Sequence, residues 1–425
     1  MGEYLKITGG RPLFGQAMVP AAKNSVLPLI AASMLCRGET VIRQAPALAD
    51  VEQSLAIYTA LGGQAQRQGP AVRLRAAAAQ GRGILPDGPA RSMRSSVFYL
   101  APALHRFGRV QMPMPGGCKL GPRPIDIHLE GLGRMGAQTQ WEDGQLVLTA
   151  PRGLHGVDYA LRLPSVGATE TLLMAAVLAK GETVLRGAAR EPEIVDLAEY
   201  LCACGASIQG AGGPVIRVQG RTELQGAAYT PIPDRIYAAT LAAAVASAGG
   251  QVRIQGCPAE FLEPVLAVLE LAGCGVQRQD RAFLVERSRT LKGVGRVYTG
   301  VYPAFCTDAA PVVAAALLCA VGRSAVEDTV FENRFSCAAG FAAMGAQACR
   351  AGRAVEITGV RRLSGARVQG SDLRGTAALV VAALAAAGES QVFGLEHLRR
   401  GYLGLPATLQ SLGARVQLAV QEEQE

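Results

Sequence analysis

Two sets of glycines run through this 425-residue chain with the same period of about 70 residues, and that period constrains the fold more than any other feature. The first set ends short turns of the type Leu/Met/Cys-Gly-Ala/Gly/Val. It comprises Gly62, Gly136, Gly205, Gly275, Gly345 and Gly413, at intervals of 74, 69, 70, 70 and 68 residues. The second set opens strand-like runs at Gly38, Gly108, Gly181, Gly250, Gly322 and Gly388, at intervals of 70, 73, 69, 72 and 66. Between the marks each unit reads alike. An Ala/Leu/Val-rich helix comes first, as in 27–36, 170–179 and 376–387, and a glycine able to take positive φ ends it. A short strand follows, as at Thr183–Leu185 or Val252–Ile254, then a second helix, the small-residue turn and further strand. The repeated helices lack a polar face, which predicts burial on most sides. A mixed α/β chain of six such units excludes a coiled coil or a membrane bundle.

The Pro-bearing link Thr230-Pro231-Ile232-Pro233 falls between the third and fourth units and is the expected domain boundary. The longest uncharged apolar runs, Ala309–Val321 and Ala377–Ala387, are shorter than the roughly 20 residues a membrane span needs. No basic start followed by a hydrophobic region is present, so a cytoplasmic protein is expected. Ten cysteines without paired CxxC spacing, most in apolar stretches, predict reduced thiols rather than a zinc site. Cys202 and Cys204 are read as core of an apolar helix. The 42 basic and 34 acidic residues leave a net charge of +8, which suits anionic partners. A nucleic-acid binder would also carry stacking aromatics and basic runs, and this sequence has neither.

Function is signalled where the buried helices begin. Equivalent positions carry Lys23-Asn24, Arg94-Ser95, Ser165-Val166-Gly167, Asp234-Arg235, Thr307-Asp308 and Asp372-Leu373-Arg374. Ser165 and Thr307 taken alone read as ordinary N-caps. Lys23, Arg94 and Arg374 do not, because a cation at a helix start opposes the dipole and calls for an anion nearby. Converging helix starts would make an anion-binding cleft. The loop Met112–Pro124 has four prolines and three glycines, and can place Cys118 next to cations, Lys119 and Arg123, that would favour its thiolate. General acid and covalent partner both fit Cys118. The adjacent His128 lies too far along the chain to signal a Cys–His pair. Gly131-Leu-Gly133-Arg-Met-Gly136 fits GxGxxG but is expected to end a helix and precede a strand, the reverse of a dinucleotide site.

These stretches together resemble the enolpyruvyl transferases over essentially the whole chain. The resemblance is carried by Ala22-Lys23-Asn24, Met93-Arg94, the Pro115–Pro124 loop, Ser165–Thr169, Ala189–Asp196, Pro233–Ile236, Thr307-Asp308, Thr329–Phe335, Ser371–Arg374 and Arg400-Gly401-Tyr402. The branch that acts on shikimate 3-phosphate shares the architecture but lacks the Cys118 loop and the Arg-Glu-Pro-Glu run. The resemblance implies a two-domain inverted α/β barrel of six pseudo-repeats, three per domain. One domain would be 21–233; the other would be 1–20 with 234–425. It implies transfer of the carboxyvinyl group of phosphoenolpyruvate to the 3-hydroxyl of UDP-N-acetylglucosamine, with no cofactor or metal, no nucleic acid and no membrane. Lys23, Arg123 and Arg400 would hold phosphoenolpyruvate. Asn24, Arg94, Arg123, Pro124, Ile125, Asp126, Ile127, Ser165, Val166, Asp308 and Val330 would hold the UDP-sugar. Gly167, Glu191, Asp234, Phe331, Arg334, Asp372 and Arg374 complete the expected substrate-binding set. Cys118 would be the general acid and the site of fosfomycin alkylation, and Asp308 the base; Lys23 and Arg400 would share in catalysis. The chain departs from frequent family residues at Ala47, Ala49, Phe98, Leu163, Ala309–Pro311, Cys337, Gly340, Arg399 and Leu403. Most of these bear on binding or packing rather than on the acid, the base and the cations.

Overall fold

The computed structural model describes residues 2–76, 81–116 and 124–421. These fall into two compact units. A terminal unit comprises 2–20 and 233–421; an inserted unit comprises 21–116 and 124–232.

The terminal unit is built on three helices with no polar face, Arg235–Ala248, Ala310–Ala316 and Leu373–Ala385, which pack on one another. All fourteen residues of the first are buried, including Arg235. Alanine dominates all three, and its small side chain lets helix axes approach closely. Around them lie three four-stranded sheets with one pattern, a parallel pair followed by two antiparallel pairings. Arg367–Gln369, Glu389–Phe393, Glu3–Thr8 and Arg415–Val420 form the first. Leu13–Met18, Gly250–Gln255, Ala282–Arg287 and Gly275–Gln279 form the second. Gly295–Tyr298, Arg323–Glu327, Ala354–Thr358 and Gln347–Ala351 form the third. In the first and third sheets a central helix bridges the parallel pair directly. In the second, the entire inserted unit comes between Leu13–Met18 and the Arg235–Ala248 helix.

The inserted unit repeats the strand pattern twice. Asp158–Ala160, Glu182–Arg186, Val215–Gln219 and Ser207–Gln209 make one sheet; Ala228–Tyr229, Glu39–Ile42, Ala71–Arg75 and Gln64–Gln68 make another. A third sheet has three strands, Arg109–Met112, Gln145–Thr149 and Gln138–Glu142, with a single parallel bridge from Ile84 to Gln111 at its edge. Its buried helices are Lys23–Ser33, Leu100–Phe107 with the preceding 3-10 turn Arg94–Tyr99, and Val166–Ala176.

The helices begin and end earlier than the apolar runs predict. Lys23–Ser33 replaces 27–36, and Cys36 begins a strand instead. Val166–Ala176 replaces 170–179, and Leu373–Ala385 replaces 376–387. The polar residues are therefore inside the first turn or cap it, rather than upstream of it. All six strand-opening glycines take positive φ, from 69° at Gly108 to 106° at Gly322. In the other set Gly275 does not: it starts the Gly275–Gln279 strand, and the left-handed cap is Gly273, at φ 109°. No helix among the described residues is long and apolar enough to cross a membrane.

Candidate active site

Cys118, Lys119 and Arg123 lie outside the described residues. The other expected site residues are divided between the two units.

In the terminal unit the centre is Asp308, in the single 3-10 turn Thr307–Ala309 that opens the Ala310–Ala316 helix. Both of its carboxylate oxygens accept from guanidinium groups. Arg334 Nη2 donates to Oδ1 at 3.0 Å, and Arg374 Nη2 and Nε donate to Oδ2 at 2.8 and 3.2 Å. Arg334 and Arg374 are only 2% and 5% exposed at the side chain, whereas Asp308 is 29% exposed, so the carboxylate faces outward and its cations stand behind it. Burial works against the charge on Arg374, but Asp308, Tyr402 and Asp234 outweigh it and hold the guanidinium firmly protonated. Its Nη1 is buried with no hydrogen-bond partner among the described residues, and the guanidinium carbon stands 5.3 Å from the centre of the Tyr402 ring. The anion that Arg374 was expected to require at its helix start is thus Asp308 itself.

Helix caps assemble the rest. Asp372 Oδ1 accepts from the backbone N–H groups of Arg374 and Gly375, both at 3.0 Å, and Ser336 donates to its other oxygen. Asp234 Oδ1 accepts from the N–H groups of Ile236 and Tyr237 at 2.9 Å. These two carboxylates are satisfied in part as N-caps. Val330 is half-exposed, and Phe331 lies beneath the Arg334 guanidinium, 4.7 Å from ring centre to Cζ. Arg400 sits in the turn after the Leu395–Leu398 helix, its N–H bonded to the His397 carbonyl, and the neighbouring Tyr402 hydroxyl pairs with Thr240 at 2.9 Å.

In the inserted unit Lys23 opens its helix and pairs with Asp50 in the first turn of Ala49–Ala60, Nζ to Oδ2 at 3.1 Å, with both side chains largely buried. Here too the chain supplies a counter-anion, and Asp50 had no sequence signal beyond its own charge. Asn24 follows, in the same first turn. Its carbonyl cannot receive the usual i+4 bond, because Pro28 has no N–H. Arg94 begins the Arg94–Tyr99 turn and donates from Nη2 to the Pro124 carbonyl at 2.9 Å, so it ties the described end of the Cys118 loop to the unit. Ile125 and Ile127 are buried anchors on either side of Asp126, which pairs with Arg162 and accepts from the Ile127 N–H. Ser165 caps the Val166–Ala176 helix through Ala168 N–H at 3.4 Å. Gly167 is backed by His128: an added Cβ would stand 3.1 Å from Nε2. Desolvation, and secondarily Arg94, lowers the His128 pKa to about 4, so this imidazole is neutral. Glu191 stands at the N-cap position of the Pro192–Ala203 helix, and its Oε2 accepts from the Arg190 N–H at 3.0 Å. Close to it, Glu170 is completely buried. Desolvation, followed by Glu193 and Glu191, raises its pKa well above the carboxylate range.

Gly131 and Gly133 lie in the Asp126–Arg134 helix, which runs into the Gln138–Glu142 strand, so the GxGxxG order is the reverse of a dinucleotide site. Cys204 is buried at the end of its helix, but Cys202 is exposed and does not belong to the core.

Fixed cations and a semi-exposed carboxylate at helix starts are equipment for binding anions and moving a proton. The sequence profile of the EPSP synthase (3-phosphoshikimate 1-carboxyvinyltransferase) family matches residues 7–409. The chain belongs to this family of enolpyruvyl transferases. It is 42% identical to UDP-N-acetylglucosamine 1-carboxyvinyltransferase 1 of Symbiobacterium thermophilum, over 97% of this chain and 95% of that one. It is 41% identical to UDP-N-acetylglucosamine 1-carboxyvinyltransferase of Desulfovibrio desulfuricans, over 97% and 99%. Among solved structures, the enolpyruvyl transferase NikO from Streptomyces tendae superposes with a TM-score of 0.88 at 24% identity, covering 99% and 100% of the two chains. An EPSP synthase from Acinetobacter baumannii gives 0.75 at 19%, over 99% and 100%.

Proposed function

We propose that this chain transfers the carboxyvinyl group of phosphoenolpyruvate to the 3-hydroxyl of UDP-N-acetylglucosamine with release of phosphate, the first committed step of peptidoglycan synthesis, in the cytoplasm. The carrying observation is full-length identity of about 40% to transferases that bear that name. The Cys118 loop and the Arg190-Glu191-Pro192-Glu193 run support the same branch over the shikimate branch. The like-patterned sheets of each unit support the reading of six pseudo-repeats in two inverted barrels, with 1–20 completing the second domain.

In this reading Lys23, Arg123 and Arg400 hold phosphoenolpyruvate, whose negative charge needs several fixed cations. Asn24, Arg94, the 123–127 segment, Ser165, Val166, Asp308 and Val330 receive the UDP-sugar, and Gly167, Glu191, Asp234, Phe331, Arg334, Asp372 and Arg374 complete the substrate-binding set. The sugar oxygen adds to C2 of phosphoenolpyruvate while Cys118 delivers a proton to C3 and Asp308 takes the hydroxyl proton. Loss of a proton from C3 then expels phosphate and restores the double bond. Addition across a double bond needs an acid and a base on opposite sides, and the cations stabilise the charge that develops. Cys118 is also the thiol that fosfomycin alkylates.

The test is phosphate release with both substrates, with each alone, and with shikimate 3-phosphate in place of the UDP-sugar. Turnover only with phosphoenolpyruvate plus UDP-N-acetylglucosamine is expected. A folded protein that binds the UDP-sugar and never turns over would instead be a binding paralogue. Fosfomycin should leave an adduct on Cys118 that disappears in Cys118→Ser; mass spectrometry finding it on another residue refutes the assignment.

A further inference from the structure

Asp328 is a carboxylate with no exposed surface, one residue beyond the Arg323–Glu327 strand, and no role above uses it. Five donors converge on it. Oδ1 accepts from Thr299 Oγ1 at 3.0 Å and from the N–H groups of Val330 and Phe331 at 2.7 and 3.0 Å. Oδ2 accepts from the Thr307 hydroxyl and from Arg334 Nε at 3.2 Å. Arg334 Nε also reaches Thr307 Oγ1 at 3.0 Å, while its Nη2 holds Asp308. Asp328 therefore accepts from Nε of the same guanidinium whose Nη2 donates to Asp308. It also grips the residue next to Asp308 in sequence. Burying a carboxylate costs several kcal/mol unless it is paired and bonded, so a fully bonded one marks a place where orientation and charge both matter.

Among the described residues Arg334 and Arg374 touch Asp308 directly. Behind Arg334 stand Asp328 and the Cys337 thiol, which burial keeps neutral. Behind Arg374 stand Tyr402, with the guanidinium 5.3 Å from its ring centre, and Asp234. Asp308, Asp328, Arg334 and Arg374 sum to zero, and Asp234 beyond Arg374 adds one further negative charge; removing Asp328 takes away the negative charge on the Arg334 side of Asp308. A carboxylate so surrounded is a weaker base.

We propose that Asp328 is a positioning residue for the transfer reaction: it fixes and neutralises Arg334, so that Asp308 is presented as a competent base. This rests on Asp308 being the base in the reaction proposed above.

The experiment compares wild type, Asp328→Asn and Asp328→Glu in the two-substrate phosphate-release assay across pH. A parallel 13C titration of the Asp308 carboxyl in each folded protein needs no turnover. Asp328→Asn should lower kcat about ten-fold with KM little changed. Its acid limb and the Asp308 titration should both move to lower pH, by about half a unit or more. Asp328→Glu should restore both. An unchanged kcat with the limb in place overturns the proposal. So does a lower kcat with an unmoved limb, since lost packing alone would give that. Should Asp328→Asn fail to fold, Thr299→Val removes one donor to the same carboxylate; a folded Thr299→Val with wild-type kcat and an unmoved Asp308 titration counts equally against it. If wild type shows no turnover, the functional reading fails, and the Asp308 titration alone decides whether Asp328 controls its basicity.

Discussion

Asp308 carries a tension that can be tested. Two guanidiniums fix its position, yet each stabilises its ionised form and so makes proton capture harder. Asp308→Ala should lose two or more orders of magnitude in kcat while the protein stays folded, the scale expected for a general base. Near-normal kcat would remove it from that role. The same change removes the anion shared by Arg334 and Arg374, while Arg334 keeps Asp328, so a stability loss of about 1–3 kcal/mol should accompany it in urea unfolding. Asp196 offers a different test. It is buried, and its Oδ1 accepts from the Tyr229 hydroxyl at 2.8 Å. Desolvation raises its pKa from 3.8 to about 6, against the pull of Tyr229, Ser25 and the Ile232 N–H. The folded chain therefore holds this proton more tightly than the unfolded one, and its contribution to stability falls as pH rises from about 4 to about 6. At pH 8 the ionised, desolvated carboxylate is a penalty of up to about 3 kcal/mol. Asp196→Asn should raise Tm relative to wild type at pH 8 and much less at pH 4.5. A difference in Tm independent of pH would contradict this.

At the scale of elements, close helix contacts explain residues that looked like motif. A Cβ on Gly131 would stand 2.6 Å from both methyl carbons of Leu172, a fully buried residue of the Val166–Ala176 helix. Gly133, two residues on, has open space around it. Gly131→Ala should destabilise by about 1–3 kcal/mol through overpacking. Gly133→Ala should be neutral or gain up to about 1 kcal/mol in helix propensity. Urea midpoints of the two variants distinguish them, and equal shifts would show that the helix pair can give way. Turn glycines were legible for a local reason: positive φ strains any residue with a Cβ. The misplacement at Gly275 has a local reason too. Gly273 and Gly275 flank Cys274, and only the end of helical hydrogen bonding decides which one takes the left-handed turn. Helix starts were placed late because the apolar run begins after the first turn, whereas the caps Ser165, Asp234 and Asp372 set where hydrogen bonding begins.

At the scale of the whole chain, the two ends are joined in one sheet. Glu3–Thr8 lies between Glu389–Phe393 and Arg415–Val420 and pairs antiparallel with both. Deleting residues 2–8 removes a central strand and buried Leu5 and Ile7, and opens two edges. Limited proteolysis should then cut within 233–421 well before it cuts wild type; unchanged digestion would show that the strand is dispensable. The composition carries little of this. A charge of +8 suits a phosphorylated substrate and a nucleic acid equally; the lack of stacking aromatics and basic runs, together with the cations at helix starts, separates them.

The chain's sequence alone determined which backbone positions turn, which helices are buried all round, and which polar residues stand at their starts. These are properties of local conformational energy and side-chain solvation, readable within a few residues. Tertiary structure decided which charges meet. Lys23 and Asp50 are 27 residues apart, Asp308 and Arg334 26, and Asp308 and Arg374 66. Asp328 joins that last cluster from a strand end with no motif of its own. Ion pairing depends on distance in space and on exclusion of water, and neither leaves a spacing rule in the sequence.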